Sequence, residues 1–549
     1  MMVHTLLTYN DGFRWIQTGK VSFKGYILDY GGKFMTGKAA ARTFEDVESL
    51  EQLSDLLSRL DGAWSVLIRT RAGLLVGVDP MRMFPLFFTK SGKQWQIADS
   101  AEALLKYVPD SEINHRVLPE FLSAGFVMGK DTLVTGICKT NAAEALLFGS
   151  GEKPARHTWS YFLPEHFSTQ TAPVLKKELK GLLQDLSGRL VESLQGRTAI
   201  VPLSGGYDSR LIACMLKMQG YEKVVCMTYG RPNREARISR RVAEQLGYRW
   251  EFVDYSDIPA EGITRDPMFL AWTSYAGNLS SMPYLQDYFA VKTLKEKKLI
   301  PDDSIFLPGH TGDYIAGSYT EKTVRFRGRR MGKARRLLNG YFRFFHLKKE
   351  QKAMIIQRLE EWFADYQPPD VATDRRYDVF TEDWDLKEKF SLFVFNSAGV
   401  FPFFGYEFRL PLWDGQFRRF FREIPFDLRS HKKLYNQVLE ENYFIPMGVY
   451  YNREEICETP ANLKVQRIKD ALQPLIPAGL KHKRMAERDY LCYECFTLPM
   501  KKSLERSGGE VPQRINSFNA IITHWYADRI RNFISGQKSV SYQPAPRRE

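Results

Sequence analysis

Ser204, Gly205, Gly206, Asp208 and Ser209 stand within six consecutive positions, directly after the apolar run Ala199 to Leu203. Two hydroxyls, a carboxylate and a glycine pair at that spacing suit the capture of a polyphosphate. The glycines let the backbone turn tightly and approach a ligand. A helix-compatible segment from Asp208 through Lys217 presents unpaired N–H groups and the positive end of its dipole. Asp208 sits where a Mg²⁺ bridging to phosphates needs a carboxylate. No G-x-x-x-x-G-K-[ST] run occurs, so this is a different cradle from the Walker type. The plain alternative is a surface turn between a strand and a helix.

A second loop has the same character. Ser304 to Leu307 reads as a strand and ends in Pro308-Gly309-His310-Thr311-Gly312-Asp313-Tyr314. If the two strands are neighbours, Asp208 and Asp313 face one metal-bound polyphosphate. Asp313 is also a favoured residue type for a helix N-cap, and both readings can hold together.

The elements around these loops alternate. Ala199–Leu203, Lys223–Tyr229 and Arg249–Asp254 read as strands, with helices at Ser209–Met218 and Glu235–Leu246. Such βαβ alternation predicts a parallel sheet wrapped by helices, with ligands at the carboxyl ends of its strands. Upstream, Val174–Leu194 reads as an amphipathic helix. Residues 1 to about 165 form an α+β pattern, in which strand-like segments flank one helical stretch, Phe44 to Leu60.

At 549 residues, 44% apolar and 13% aromatic, the chain has the composition of a globular protein of two or three domains. Six cysteines are too scattered for a disulfide scaffold; only Cys492-x-x-Cys495 is close-spaced, and reduced structural thiols are the expectation. No signal peptide and no apolar run of membrane-spanning length are read, which gives a cytoplasmic expectation. Much of the net charge of +14 comes from one segment, Lys322 to Lys352, which carries twelve Lys/Arg against the single acid Glu350. It reads as a solvated helix pair or as a surface for an anionic partner.

Taken together, Ser204-Gly-Gly-Tyr-Asp-Ser209, Pro308 to Tyr314 and Gly405-Tyr-Glu-Phe-Arg-Leu-Pro-Leu-Trp-Asp414 resemble, in order, three signatures of the asparagine synthetase family. The resemblance covers most of residues 190 to 450. It implies a parallel-sheet ATP-pyrophosphatase domain at 169–460, with a basic insertion at about 320–352. An α+β glutaminase-like domain of the Ntn type would occupy 1–168, and a basic helical extension 461–549. Leu60-Asp-Gly-Ala-Trp64 and Val78 to Leu86 look like the later glutaminase segments. Positions 1 and 2 are both Met and the first cysteine is Cys138, so glutaminase activity is not expected.

The family's chemistry implies ATP and Mg²⁺ as cofactors and an acyl-adenylate formed from a small-molecule, sugar or peptide carboxylate, then attacked by ammonia or an amine. Asp208 and Asp313 would hold Mg²⁺. Ser204, Gly205, Gly206, Ser209 and Gly309 would cradle the phosphates, and Leu203, Met227, Thr228 and Tyr229 would flank adenine and ribose. His310 occupies the position of a general base or merely hydrogen-bonds its loop; Glu407 could orient it, or could equally be a structural partner of Arg409. The family's lysine after the third signature is replaced by Asn452-Arg453-Glu454, with Arg453 as the substitute cation. Other readings are a peptide macrolactam cyclase, a non-catalytic nucleotide-binding relative, and an RNA-modifying enzyme that uses the basic insertion.

Overall fold

The computed structural model of the chain describes residues 3–159, 163–319, 332–366, 370–374, 378–451 and 485–536. In the N-terminal half two sheets lie face to face. One runs in the order β1 (Val3–Leu6), β8 (Gln94–Ala98), β7 (Phe87–Ser91), β9 (Cys138–Lys139). The other runs β11 (Ala155–Thr158), β10 (Glu144–Phe148), β6 (Gly73–Val78), β5 (Asp61–Thr70), β3 (Val21–Leu28), β2 (Ile16–Thr18), with β4 (Phe34–Thr36) also paired to β3.

Alternation along the strands explains the layering. Leu67, Leu74, Val76 and Val78 meet Phe88, Trp95 and Ile97 between the sheets. Trp64, Val66, Ile68 and Leu75 point the other way, onto α1 (Gly37–Arg42) and α2 (Leu50–Leu57). The helical stretch expected from Phe44 to Leu60 is shorter, because Ser49 caps α2. Its side chain accepts from Gln52 N at 3.3 Å while Gln52 Oε1 accepts from Ser49 N at 3.2 Å, a reciprocal capping box.

The C-terminal half is built on a parallel sheet in the order β14 (Arg249–Asp254), β13 (Val224–Gly230), β12 (Ala199–Pro202), β15 (Ile305–Phe306), β16 (Glu407–Phe408). α5 (Tyr207–Met218) and α6 (Arg234–Leu246) make its first crossovers, and α4 (Ala172–Leu194) leads into it. Ala199, Ile200 and Val201 are fully buried, as a strand covered on both faces requires. The strand expected at Ser304–Leu307 is assigned only to Ile305–Phe306, yet Leu307 N still donates to Ile200 O at 2.8 Å. The loop at Pro308 therefore leaves the sheet beside the loop at Ser204.

The two halves share one core. Residues from both, such as Phe121, Leu183, Ile200, Trp413 and Tyr526, belong to one buried cluster. Asn278 Oδ1 accepts from Ala101 N at 2.6 Å, and Tyr26 OH accepts from Leu410 N at 3.2 Å. The helix Asn519–Ile534 lies inside this assembly: Thr523 Oγ1 donates to Leu122 O at 3.0 Å and Tyr526 OH accepts from Leu279 N at 3.1 Å. No described helix is long and apolar enough to cross a membrane.

Candidate active site

The first loop is tied by its own hydroxyls. Ser209 Oγ accepts from Ser204 N at 3.0 Å and lies 3.1 Å from Ser204 Oγ, which in turn accepts from Gly206 N at 3.1 Å. Gly206 caps α5 with no side chain, so the first N–H groups of that helix remain available to a ligand. Arg210 clamps the loop from within the protein, donating to Gly205 O at 2.8 Å and to Val449 O at 3.0 Å.

The second loop lies directly on the first. A Cβ at Gly309 would stand 2.9 Å from Ser209 N, and one at Gly312 would stand 2.8 Å from Asp208 Cγ. Neither approach leaves room for a side chain. Thr311, a β-branched residue, is held at φ 72°, a costly conformation that sharpens this turn.

This packing brings the two aspartates together. Asp208 Oδ2 accepts from Asp313 N at 2.7 Å, and Asp208 Oδ1 accepts from Tyr435 OH at 2.9 Å. Burial first, and then the negative charge of Asp313, push the Asp208 carboxyl up to about 7. Lys432 opposes that shift. It is the residue directly before the helix Lys433–Leu439, which carries Tyr435. His431 and Lys432 adopt φ 56° and 57°, an unusual pair of left-handed residues that starts this helix beside Asp208.

Sequence reasoning missed both Lys432 and Tyr435. The basic pair Lys432-Lys433 before a helix was the available signal, but nothing in its spacing names Asp208 as its neighbour.

A like-charged carboxylate pair with one N–H, one hydroxyl and one ammonium around it suits a hard divalent cation. Among the described residues no cluster of three or more His, Cys, Asp or Glu forms a metal site. The fit is therefore to Mg²⁺, which takes one or two carboxylates and completes its shell with phosphate oxygens and water.

The raised value carries a sign. An unfolded aspartate ionises near 3.8, so Asp208 imposes no penalty below that pH and an increasing one as pH climbs to about 7. Without metal, Asp208→Asn is expected to raise the thermal midpoint at pH 8 and to change it little near pH 4. Thermal unfolding in a chelator measures this directly.

The remaining residues singled out from the sequence fall in three groups. His310 sits in the second loop against Phe395, with its Nδ1 buried and without a hydrogen-bond partner. Burial lowers its value to about 4, so the imidazole is neutral at ordinary pH. Leu203 and Thr228 lie at adjacent strand ends: Leu203 N donates to Met227 O at 2.7 Å, and Thr228 Oγ1 donates to Leu203 O at 2.8 Å. Tyr229 OH donates to the buried Asp287 at 2.6 Å. Arg453 lies outside the described residues.

Glu407 has a different place from the one that orienting His310 requires. In the register of the parallel sheet it pairs with Ile305, at the amino end, whereas His310 follows the carboxyl end of the same strand. It receives Arg197 through two hydrogen bonds of 2.7 and 3.1 Å and Arg409 through one of 2.9 Å. Glu407 therefore does not orient His310. The third signature as a whole is structural: Asp414 accepts from Gln416 N and Phe417 N at 2.9 and 3.1 Å and pairs with Arg189 at 2.9 Å.

The parallel sheet thus sets two glycine-rich loops, with Asp208 and Asp313, beside a helix N-terminus that no side chain caps. No protein-family model matches the chain, and no curated protein does. Among solved structures, an NH3-dependent NAD synthetase from Campylobacter jejuni aligns at 14% identity and a TM-score of 0.16, covering 37% of this chain and 100% of that one. A glutamine phosphoribosylpyrophosphate amidotransferase from B. subtilis aligns at 10% identity and a TM-score of 0.18, covering 54% of this chain and 63% of that one. This chain thus spans less than two thirds of the amidotransferase. Superpositions at such TM-scores carry no weight for fold or chemistry.

Proposed function

We propose that the chain is an ATP-dependent amide ligase that releases AMP and pyrophosphate, similar to asparagine synthase. A carboxylate is activated as an acyl-adenylate and captured by ammonia or an amine. The observation that carries this reading is the Asp208–Asp313 pair, bridged by the 2.7 Å bond from Asp313 N and set against the Ser204–Ser209 cradle.

The residues divide the work. Ser204, Ser209 and the N–H groups at the start of α5 receive the β- and γ-phosphates as they become pyrophosphate. Lys432 supplies a fixed positive charge on the same side, in the role for which the sequence offered Arg453 and, more distantly, Lys464, both outside the described residues. Asp208 and Asp313 would hold Mg²⁺, which when bound neutralises charge on the leaving group. The Nδ1 of His310 has no partner, so it is placed to take the proton that the attacking amine must lose, working against the burial that holds its value near 4. The aromatic wall at Phe395 keeps water from competing for the acyl group.

The test separates the two half-reactions. His310→Ala is expected to keep carboxylate-dependent exchange of labelled pyrophosphate into ATP while amide formation falls by about 10²–10⁴-fold. Loss of both activities together would remove His310 from the acceptor step. Lack of exchange with every carboxylate of a panel, in protein that folds normally, would remove the ligase reading itself.

A further inference from the structure

Cys492 and Cys495 lie at the start of the helix Tyr493–Ser507, beside the end of strand β13. The loop before that helix is fastened to the strand end. Tyr490 O accepts from Arg231 N at 2.6 Å, and a Cβ at Gly230 would meet Tyr490 O at 2.7 Å. Asp489 fixes the helix start by accepting from Tyr493 N and Glu494 N at 2.9 and 2.7 Å.

The Arg231 guanidinium reaches both sulfurs. Its Nη2 is 3.5 Å from Cys495 Sγ, and it also hydrogen-bonds Cys492. A guanidinium within reach of a sulfur stabilises the negative charge that sulfur carries as it attacks; burial pushes the Cys492 thiol up, so it stays a thiol until Cys495 is oxidised. The thiols differ in access: Cys495 is exposed and Cys492 is buried. Residues three apart in a helix have Cβ atoms about 5–6 Å apart, and a disulfide needs about 3.5–4.5 Å. Cys492, at φ 56°, stands outside the regular helix, so its spacing to Cys495 is not the helical one.

We propose that Cys492 and Cys495 form a reversible intramolecular disulfide, a covalent modification site whose state is sensed by Arg231 at the edge of the candidate nucleotide site. The oxidant is a peroxide. The Cys495 thiolate attacks one peroxide oxygen, the O–O bond breaks, and water leaves with Cys495 as sulfenic acid. The Cys492 sulfur then displaces that oxygen, so two thiols and one hydrogen peroxide give one disulfide and two waters. The exposed thiol meets the oxidant and the buried one resolves it. Closure replaces the charge-bearing sulfur beside Arg231 with a neutral disulfide, a far weaker acceptor, and loosens the guanidinium next to Gly230.

The experiment uses the full chain. Both cysteines fall in one tryptic peptide, Asp489 to Lys501, because Arg488 precedes it and no Lys or Arg interrupts it. After hydrogen peroxide and then iodoacetamide, that peptide is expected about 2 Da lighter than the dithiol form and unalkylated, and dithiothreitol restores both alkylation sites. Cys492→Ser should divert Cys495 to the sulfinic acid, and Arg231→Gln should slow closure by about fivefold or more. Full alkylation of both cysteines after peroxide, sulfinic acid in the unmodified chain, or closure at an unchanged rate in Arg231→Gln would overturn the proposal. None of these readouts depends on ATP turnover, so the result stands apart from the ligase reading.

Discussion

Asp208→Asn should lower carboxylate-dependent release of AMP by about 10³-fold or more while the protein stays folded. The substitution keeps the shape and both neighbours, Asp313 N at 2.7 Å and Tyr435 OH at 2.9 Å, but removes the charge. A neutral amide cannot complete a divalent site, while its oxygen can still accept from Asp313 N and its NH₂ can donate to the Tyr435 hydroxyl oxygen. Asp313→Asn should behave alike, since each carboxylate supplies about half the negative charge offered to the cation. The double variant should be little worse than either single one, because residues acting as one unit are not additive. Initial rates of AMP formation and thermal unfolding of the same preparations make the comparison.

Glu407→Ala should act in the opposite way: a loss of about 3 kcal/mol of stability with the exchange reaction retained per folded molecule. Burial tends to raise the Glu407 carboxyl, but Arg197 and Arg409 outweigh it and hold the group below its ordinary value. Arg409 is almost wholly enclosed, so removing the carboxylate strands a buried guanidinium. The pH dependence follows with its sign. A depressed value means the contribution is present above the unfolded value near 4.5 and fades as pH falls through the folded value. Wild type should thus lose more stability than Glu407→Ala between pH 5 and about 3. Denaturant unfolding across that range, with pyrophosphate exchange at neutral pH, checks both halves of the prediction. A variant that is stable but unable to exchange would return Glu407 to the catalytic group.

Both predictions show what could be read from the residues. The loop Ser204–Ser209 was legible because its information is local: S-G-G-Y-D-S sets a turn, a helix start and a carboxylate in six residues, and the strand before it is buried on both faces. The second loop was legible for the same reason, and strand adjacency then brought Asp208 to Asp313. The third stretch was legible as a pattern, with Glu407 read either as orienting His310 or as a structural partner of Arg409, and the structure shows the second. Glu407 and Arg409 face the same cluster two residues apart, and only the register with Ile305 shows that this cluster lies at the far end of the sheet.

Lys432 and Tyr435 were hidden for the complementary reason. They come from a helix more than two hundred positions after Asp208, and a tyrosine within a helical pattern looks like core. The merging of the two halves was hidden too. Composition marks where an α+β pattern gives way to βαβ units, but not that Asn278 and Tyr26 bind across the join.

The central claim is that ATP is cleaved between its α- and β-phosphorus atoms at the Asp208–Asp313 site. The direct measurement is the identity of the products formed from ATP labelled at the α- and γ-positions, with Mg²⁺, a carboxylate panel and an ammonium salt. AMP and pyrophosphate are expected in equal amounts, dependent on a carboxylate and lost in Asp208→Asn. ADP and inorganic phosphate, or turnover that survives Asp208→Asn, would contradict the claim.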